Sequence, residues 1–397
     1  MGHHPMRSRV IGGILLIVGT SIGGGMLALP VVNAATGFWI SSLYLILCWS
    51  LMTLGALYIL EVNLYLPPGK NMISMAGSTL GIPGLILAWL SYLFLLYTLL
   101  SAYISGGADV LGGLLSQINV VAPQTTLTIL FTLLFGFIVY GGIHRVDLIN
   151  RWLMFAKLGV YLLLVILITP LVHFPTLQSG HSIPVPGSLM VLITSFGYAI
   201  IIPNLRTYFN DEVITLKKVV LLGSLIPLFC YILWDAIILG SLPTSGAHGL
   251  LTLMTDEHAT STLAHLLSNT VRSPLISTFF HFFTAICMLT AFLGVSLCLI
   301  SFLGDGLHMT QHGLQGLGLF ILTFLPPLLV VIYYPGVYIN ALSYAGICCV
   351  ILLLLLPALM SYIGRPHATT QFVVPGGQIC QWIVMIASLI LLILSAR

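Results

Sequence analysis

Residues 12–39 read GGILLIVGTSIGGGMLALPVVNAATGFW. The run is apolar enough to enter a bilayer, yet Gly19, Gly23, Gly24, Gly25 and Pro30 fall inside it. Each interior Gly costs a helix about 0.5–1 kcal/mol relative to Ala. Lipid cannot satisfy the N–H and C=O groups that a broken helix exposes. A break at bilayer depth is tolerated only where protein or a cavity surrounds it. A broken first span therefore marks a site, and sites of this kind hold small solutes near the midplane.

Outward from that stretch the whole chain is apolar. Hydrophobic residues are 59% and charged residues 5% of the sequence, where a soluble domain carries about 25% charged residues. Such a chain cannot cover a water-facing surface, so the expected class is an all-α polytopic membrane protein. The net charge of +3 and the lack of basic tracts interleaved with aromatics argue against nucleic acid as a partner. Cys48, Cys230, Cys287, Cys298, Cys348, Cys349 and Cys380 all sit in apolar runs without CxxC spacing. They read as small hydrophobes rather than as disulfides or a metal site. No cleavable signal peptide is evident. His3 and His4 decide nothing.

Windows of about 20 apolar residues give eleven transmembrane helices, at 9–34, 38–61, 83–106, 126–142, 150–171, 187–203, 216–242, 274–303, 314–334, 337–362 and 378–396. Loops are short except 243–273, which is polar and His-rich. With the N-terminus cytoplasmic, the inner side holds Arg7, Arg9, Lys70, Arg145, Arg151, Lys157, Arg206, Lys217, Lys218 and Arg365, ten of the twelve Lys and Arg residues. Arg272 and Arg397 fall outside, which leaves the C-terminus periplasmic. A miscounted span would scramble this partition. Trp39, Trp152 and Trp382 stand at span starts, as interfacial anchors do.

The sixth span repeats the first. Thr20-Ser21-Ile22-Gly23 is followed by Pro30, and Thr194-Ser195-Phe196-Gly197 by Pro203. The two spans cross in opposite senses. This predicts a 5+5 inverted repeat, residues 9–171 and 187–362, with one extra helix at 378–396 outside it. A half-helix starting at the glycines aims free N–H groups and about half a positive charge at the break, which suits a carboxylate. The hydroxyls of Thr20 and Ser21 add donors. A half-helix ending near Ser195 leaves free carbonyls, which suit an ammonium. The two together describe an α-amino acid, and neither break carries a charged side chain. The expected substrate-binding set is Gly19, Thr20, Ser21, Ile22, Gly23, Gly24, Gly25, Ser195, Phe196, Gly197 and Tyr198. Tyr92, Tyr97, Tyr103 and Phe292 are further candidates for an aromatic wall.

The stretch from Gly12 to Trp39, with SFGYAIIIPNLRTY (residues 195–208), GSLIPLFCYILWDAIILGSL (223–242) and the weaker TAFLGVSLCLISFL (290–303), resembles the bacterial aromatic amino acid permeases. These are the tyrosine- and tryptophan-specific transporters of the amino acid/polyamine/organocation superfamily, and the likeness is nearest to their tyrosine type. The resemblance implies a leucine-transporter-like fold as a single membrane transport domain over residues 1–397. It also implies proton-driven import, a place in the bacterial inner membrane, and no cofactor or obligate protein partner. It leaves tyrosine against tryptophan open.

Ionisable groups inside spans are few, so each is a candidate. Lys157 lies about two turns into span 5, roughly 10 Å of helix, where it either snorkels to the interface or acts. By analogy with sodium-coupled relatives of the implied fold, its ammonium replaces the cation between span 1 and span 8, with Ser296 at similar depth. His281 in span 8 reads as a packed neutral ring. Glu61, Asp235 and Asp305 read as interfacial or gating charges, and Asp256, Glu257, His258 and His265 as a solvated loop. An amino acid exchanger of the same superfamily is the alternative. A channel would need a selectivity loop, and an intramembrane enzyme a nucleophile–base pair or HExxH. Neither occurs in the sequence.

Overall fold

The structure is a computed structural model that describes residues 6–116, 118–178, 184–246, 249–271, 273–310, 312–367 and 372–396. His3, His4, Arg272 and Arg397 lie outside these residues, as do the side chains of Arg7 and Arg145. The described residues are helical throughout their apolar runs: α1 (Met6–Ser21), α2 (Gly24–Asn33), α3 (Phe38–Asn63), α4 (Met72–Ser116), α5 (Gln124–Tyr140) and α6 (Ile143–Ile168). Then come α7 (Phe174–Leu177), α8 (Pro186–Ser195), α9 (Ile202–Tyr208), α10 (Val213–Ser241), α11 (Ala259–Val271), α12 (Pro274–Leu307), α13 (Gly313–Tyr333), α14 (Tyr338–Cys349), α15 (Leu356–Gly364) and α16 (Gly377–Ser395). In hydrocarbon every backbone group must be satisfied within its own segment, which leaves helices as the answer for spans of this length.

Nine helical stretches among the described residues are long and apolar enough to cross a membrane, and the α1–α2 pair makes a tenth if its two halves are one span. The helix Gln124–Tyr140 is apolar but shorter, at 17 residues. The exterior is that of a protein dissolved in lipid: Phe94, Phe229, Ile166 and Ile393 are all more than half exposed. Trp39 and Trp382 are exposed near the starts of α3 and α16, where an amphipathic ring belongs at an interface; Trp152 is exposed too, but α6 begins at Ile143, so it lies inside the helix and not at its start.

Three elements differ from the sequence expectation. The third span is not 83–106: its helix runs on to Ser116, and a kink at Gly81 (φ 70°, ψ −158°) joins it to a preceding segment from Met72. Only Gly takes that backbone cheaply, and Pro83 then starts the long helix with a φ already set. The polar loop 243–273 is not wholly irregular, because it contains the 13-residue helix α11. The sixth span is a continuous passage rather than a sharply bent one. The first span bends by 54° between Arg9–Ser21 and Gly24–Asn33. The sixth instead tightens into a 3₁₀ turn over Gly197–Ile201 between α8 and α9.

Small residues set how closely these helices approach. A Cβ on Gly346 would sit 2.3 Å from the Met190 carbonyl, so α14 lies backbone-to-backbone on α8. A Cβ on Gly55 would sit 2.1 Å from the Leu353 carbonyl. That carbonyl belongs to the wide π turn Val350–Leu355, which ends where α15 begins ahead of Pro357. Pro357 has no N–H to give, and a local widening absorbs the mismatch.

Candidate functional site

α1 stops at Ser21 and α2 starts at Gly24, with Gly23 extended between them (φ −153°, ψ −150°). No side chain caps the start of α2; the Met26 N–H turns back to Gly23 O, which leaves the Gly24 and Gly25 N–H groups without an intrahelical acceptor. The glycines admit close neighbours. A Cβ on Gly24 would meet the Tyr103 ring at 2.6 Å, and one on Gly25 would meet Ser195 Oγ at 3.1 Å. The two breaks predicted from sequence are therefore neighbours, with Tyr103 closing over the first.

The carbonyls of the breaks are not free. The Tyr231 hydroxyl of α10 lies 2.6 Å from Ser21 O and 2.8 Å from Ser195 O. A phenol has one proton, so it donates to one carbonyl at a time or is shared between them. The Tyr338 hydroxyl donates to Gly24 O. Lys157 Nζ donates to Ile22 O and lies 3.4 Å from Thr290 Oγ1. This corrects the expectation that Ser195 offers an open carbonyl to an ammonium.

The hydroxyls also differ from expectation. Thr20 bonds back to Leu16 O and Ile17 O, Ser21 to Ile17 O, and Ser195 to Val191 O, all within their own helices. Thr20 is exposed, and Gly19 faces the Met154 sulfur, where its Cβ would come within 2.5 Å. Neither points into the break. Ile22, Phe196 and Tyr198 are fully buried. Phe196 meets Tyr231 edge-on at 5.1 Å, and Tyr198 shares a 3.0 Å hydrogen bond with Thr53. A Cβ on Gly197 would have only Cys349 Sγ beside it, at 3.8 Å, so space does not demand glycine there.

Lys157 is buried at the junction of α1, α2, α6 and α12 and does not snorkel. Its hydroxyl neighbour is Thr290. Ser296 lies about 9 Å further along α12 at 1.5 Å per residue and is buried with an unpartnered Oγ. Of the aromatic candidates only Tyr103 reaches the break. Tyr92 packs on Phe302, Tyr97 donates to Leu322 O, and Phe292 lies among Phe131 and Phe324. Sequence reasoning missed Tyr231 and Tyr338 as donors. The signal for Tyr231 was its place in the 223–242 stretch.

Two cavities lie away from the breaks. One of about 720 Å³ opens beside Tyr97, Tyr333, Tyr334 and Glu257. The other, of about 200 Å³, is apolar and lies among Phe131, Leu153 and Met288. No residue of either break lines them.

The charges read as gating groups are mostly interior. Glu61 is fully buried and accepts from Tyr65, Ser361, Arg365 and the Val374 N–H. Arg206 pairs with Asp211 and donates to Asn63 O and Leu66 O. Asp235 is fully buried, takes one bond of 2.6 Å from Asn33 Nδ2, and leaves Oδ1 without a partner. An ionised carboxylate sealed in this way loses several kcal/mol of hydration, against about 1.5–3 kcal/mol from one charged hydrogen bond. Asp305 alone of the three is exposed. His281 is buried, with the His265 ring 5.9 Å away. Asp109, which the sequence reading passed over, is buried and receives Thr260, Ser261 and His258 from the segment between α10 and α12.

The sequence profile of the tryptophan/tyrosine permease family matches residues 6–395. The chain belongs to that family. The tyrosine-specific transport system 1 of Haemophilus influenzae is 31% identical, over 97% of this chain and 96% of the relative. The tryptophan-specific transport protein of Pseudomonas aeruginosa is 30% identical, over 90% and 87%. The glutamine transporter 2 of Aliivibrio fischeri is 28% identical, over 98% and 99%. The permease is thus a multi-pass membrane transporter and not an enzyme. Its two breaks meet where Tyr103, Tyr231 and Tyr338 converge on the backbone.

Proposed function

We propose that the permease imports aromatic amino acids, tyrosine foremost with tryptophan and phenylalanine, in symport with protons by alternating access across a bacterial inner membrane. The observation that carries this reading is the uncapped start of α2 at Gly24, set against Ser195 and ringed by aromatic side chains. A carboxylate suits the open N–H groups. An ammonium suits the carbonyls of Ser21 and Ser195, and it would take the place of the Tyr231 hydroxyl. Phe196, Tyr103, Tyr231 and Tyr338 supply faces and edges for an aromatic ring. The remaining expected residues of the set are Gly19, Thr20, Ile22, Gly23, Gly25, Gly197 and Tyr198; of these, Gly19 and Thr20 would serve by shaping α1 rather than by touching substrate. Lys157 carries the coupling proton in this reading, held by Ile22 O and Thr290, with Ser296 further along α12.

The architecture proposed is eleven spans in a leucine-transporter-like 5+5 inverted repeat, 9–171 and 187–362, with 378–396 outside it. The helix Gln124–Tyr140 serves as the fourth span; its 17 residues are about 25 Å long at 1.5 Å per residue. The packing supports the repeat, because helices five spans apart make matching pairs. α6 packs on α12 as α14 packs on α4; α1 packs on α10 as the Gly197–Ile201 turn packs on α3; α5 packs on α4 as α13 packs on α12. The Lys and Arg distribution supports a cytoplasmic N-terminus and a periplasmic C-terminus.

The test is uptake of labelled tyrosine into proteoliposomes with an inward proton gradient and sodium excluded. The expected result is accumulation that an uncoupler abolishes, and that tryptophan and phenylalanine compete while leucine and arginine do not. Glutamine belongs in the panel because one relative is named for it; strong competition by glutamine would replace the aromatic reading with a broader one. Exchange against preloaded amino acid without gradient-driven accumulation would make the permease an exchanger.

A further inference from the structure

Asp235 sits in the outer half of α10, one turn beyond the Tyr231 that holds Ser21 O and Ser195 O. Its only hydrogen-bond partner among the described residues is Asn33, the last residue of α2, the half-helix that starts at the first break. Both side chains are buried. The neighbouring Trp234 is also buried, stacked on Phe280 at 5.8 Å and close to Tyr161 and Phe283, so aromatic rings pack this level of α10. Carboxyl Oδ1 is fully enclosed and has no partner among the described residues.

Among the described side chains, and cysteines aside, the titratable groups of α10 itself are Lys217, Lys218 and Tyr231, and those on the elements packed around it are Arg9 of α1, Tyr44, Tyr58 and Glu61 of α3, Arg151, Lys157 and Tyr161 of α6, Arg206 and Tyr208 of α9, His265 of α11, and His281 and Asp305 of α12, with His173 near Gly240. Glu61 is engaged with Arg365, Arg206 with Asp211, and Lys157 with Ile22 O. Tyr161 donates to Cys230 O, and His281 lies beside His265. Asp235 is thus left with one neutral amide, in a place that houses the acid and not the anion.

We propose that Asp235 is a proton-binding site of the transport cycle, with Asn33 as the lid that seals the bound proton between α2 and α10. The inference rests on the symport reading above and adds a group to it. When α2 and α10 part on the outer side, water reaches the carboxylate and an O–H bond forms on Oδ1 with a proton from that water. Closure of Asn33 over Oδ2 buries the neutral acid. When the inner half α1 swings away and water enters the breaks, it reaches Tyr231, about 6 Å of helix below. The Oδ1–H bond then breaks, the proton passes to that water, and the electron pair stays on the carboxylate. Because the carboxylate is costly to enclose, the outer side closes readily only with the proton on board. That is the coupling a symporter needs.

The experiment compares wild type, Asp235→Asn and Asp235→Glu in proteoliposomes loaded with labelled tyrosine or driven by an inward proton gradient, with outside pH varied from about 6 to about 8. Wild type is expected to accumulate tyrosine with a KM that rises as outside pH rises. Asp235→Asn, a permanent neutral mimic, is expected to exchange tyrosine while losing accumulation and the pH dependence of KM. Asp235→Glu is expected to keep both, with the profile shifted. Full accumulation and an unchanged pH profile in Asp235→Asn would overturn the site and leave symport standing. Loss of exchange together with accumulation in both variants would show a purely structural residue and overturn the site. Wild type that exchanges but never responds to the gradient would overturn the symport reading and this proposal with it.

Discussion

At the residue scale, the donors at the breaks matter more than the hydroxyls that flank them. Thr20, Ser21 and Ser195 close on their own helices, as Ser and Thr commonly do inside a helix. Lys157 and Tyr231 reach across from other helices to carbonyls at the ends of α1 and α8 that have lost their helical partners, and Tyr338 adds a second donor to Gly24 O in the first turn of α2. A buried carbonyl left without a donor costs about 1–3 kcal/mol. Lys157→Gln should therefore fold, since its amide can still donate to Ile22 O, but it cannot hold a charge. The expected outcome is loss of gradient-driven accumulation with exchange retained, read in the same proteoliposomes. Accumulation equal to wild type would remove Lys157 from energy coupling.

At the element scale, one carboxylate ties the start of α11 to α4. Asp109 near the C-terminal end of α4 accepts from the Thr260 hydroxyl (2.7 Å), the Ser261 N–H (2.8 Å) and the Ser261 hydroxyl (2.6 Å) at the start of α11. A carboxylate at a helix start also meets the positive end of the helix dipole. His258 Nδ1 adds a contact of 3.2 Å to the same group. The hydrogen bond to Asp109 raises the His258 pKa above its ordinary 6.5, burial opposes it, and the charges of Asp109, Asp256 and Glu257 raise it further. A raised folded pKa means that this contribution is fully present below about pH 6.5 and is lost as pH rises through the folded value. Hydrogen exchange over residues 255–271 should show α11 better protected in mild acid than in mild alkali. His258→Ala should abolish that difference while the Thr260 and Ser261 contacts keep α11 in place. An unchanged pH response in the variant would place the titrating group elsewhere.

At the scale of the whole molecule, the charge partition makes a topological prediction. Thr255, in the exposed outer segment, and Gly69, beside Lys70, should lie on opposite sides of the membrane. In intact cells an impermeant thiol reagent should label Thr255→Cys directly and Gly69→Cys only after permeabilisation. The measurement is made against the wild-type cysteines, of which Cys298 is the exposed one. Labelling of both from outside would break the orientation and the span count together.

Composition by itself decided that this chain lives in a membrane, because 5% charged residues cannot solvate a surface. Position of the breaks was equally legible: glycines and prolines carry their backbone consequences wherever they stand, and a clustered set at Gly23, Gly24 and Gly25 interrupts a helix without help from neighbours. The sharpness of each break was not. The first bends by 54° and the second only tightens, although their Thr-Ser-x-Gly steps match. Which groups serve the breaks was a tertiary decision. Tyr231 lies 36 residues from Ser195 and 210 from Ser21, and Asn33 lies 202 from Asp235. Periodicity along one helix does not say which partner faces it. The same holds for Asp235 itself: hydropathy placed it near a span end, and only the closure of α2 and α10 around it made it a sealed carboxyl with a single amide for company.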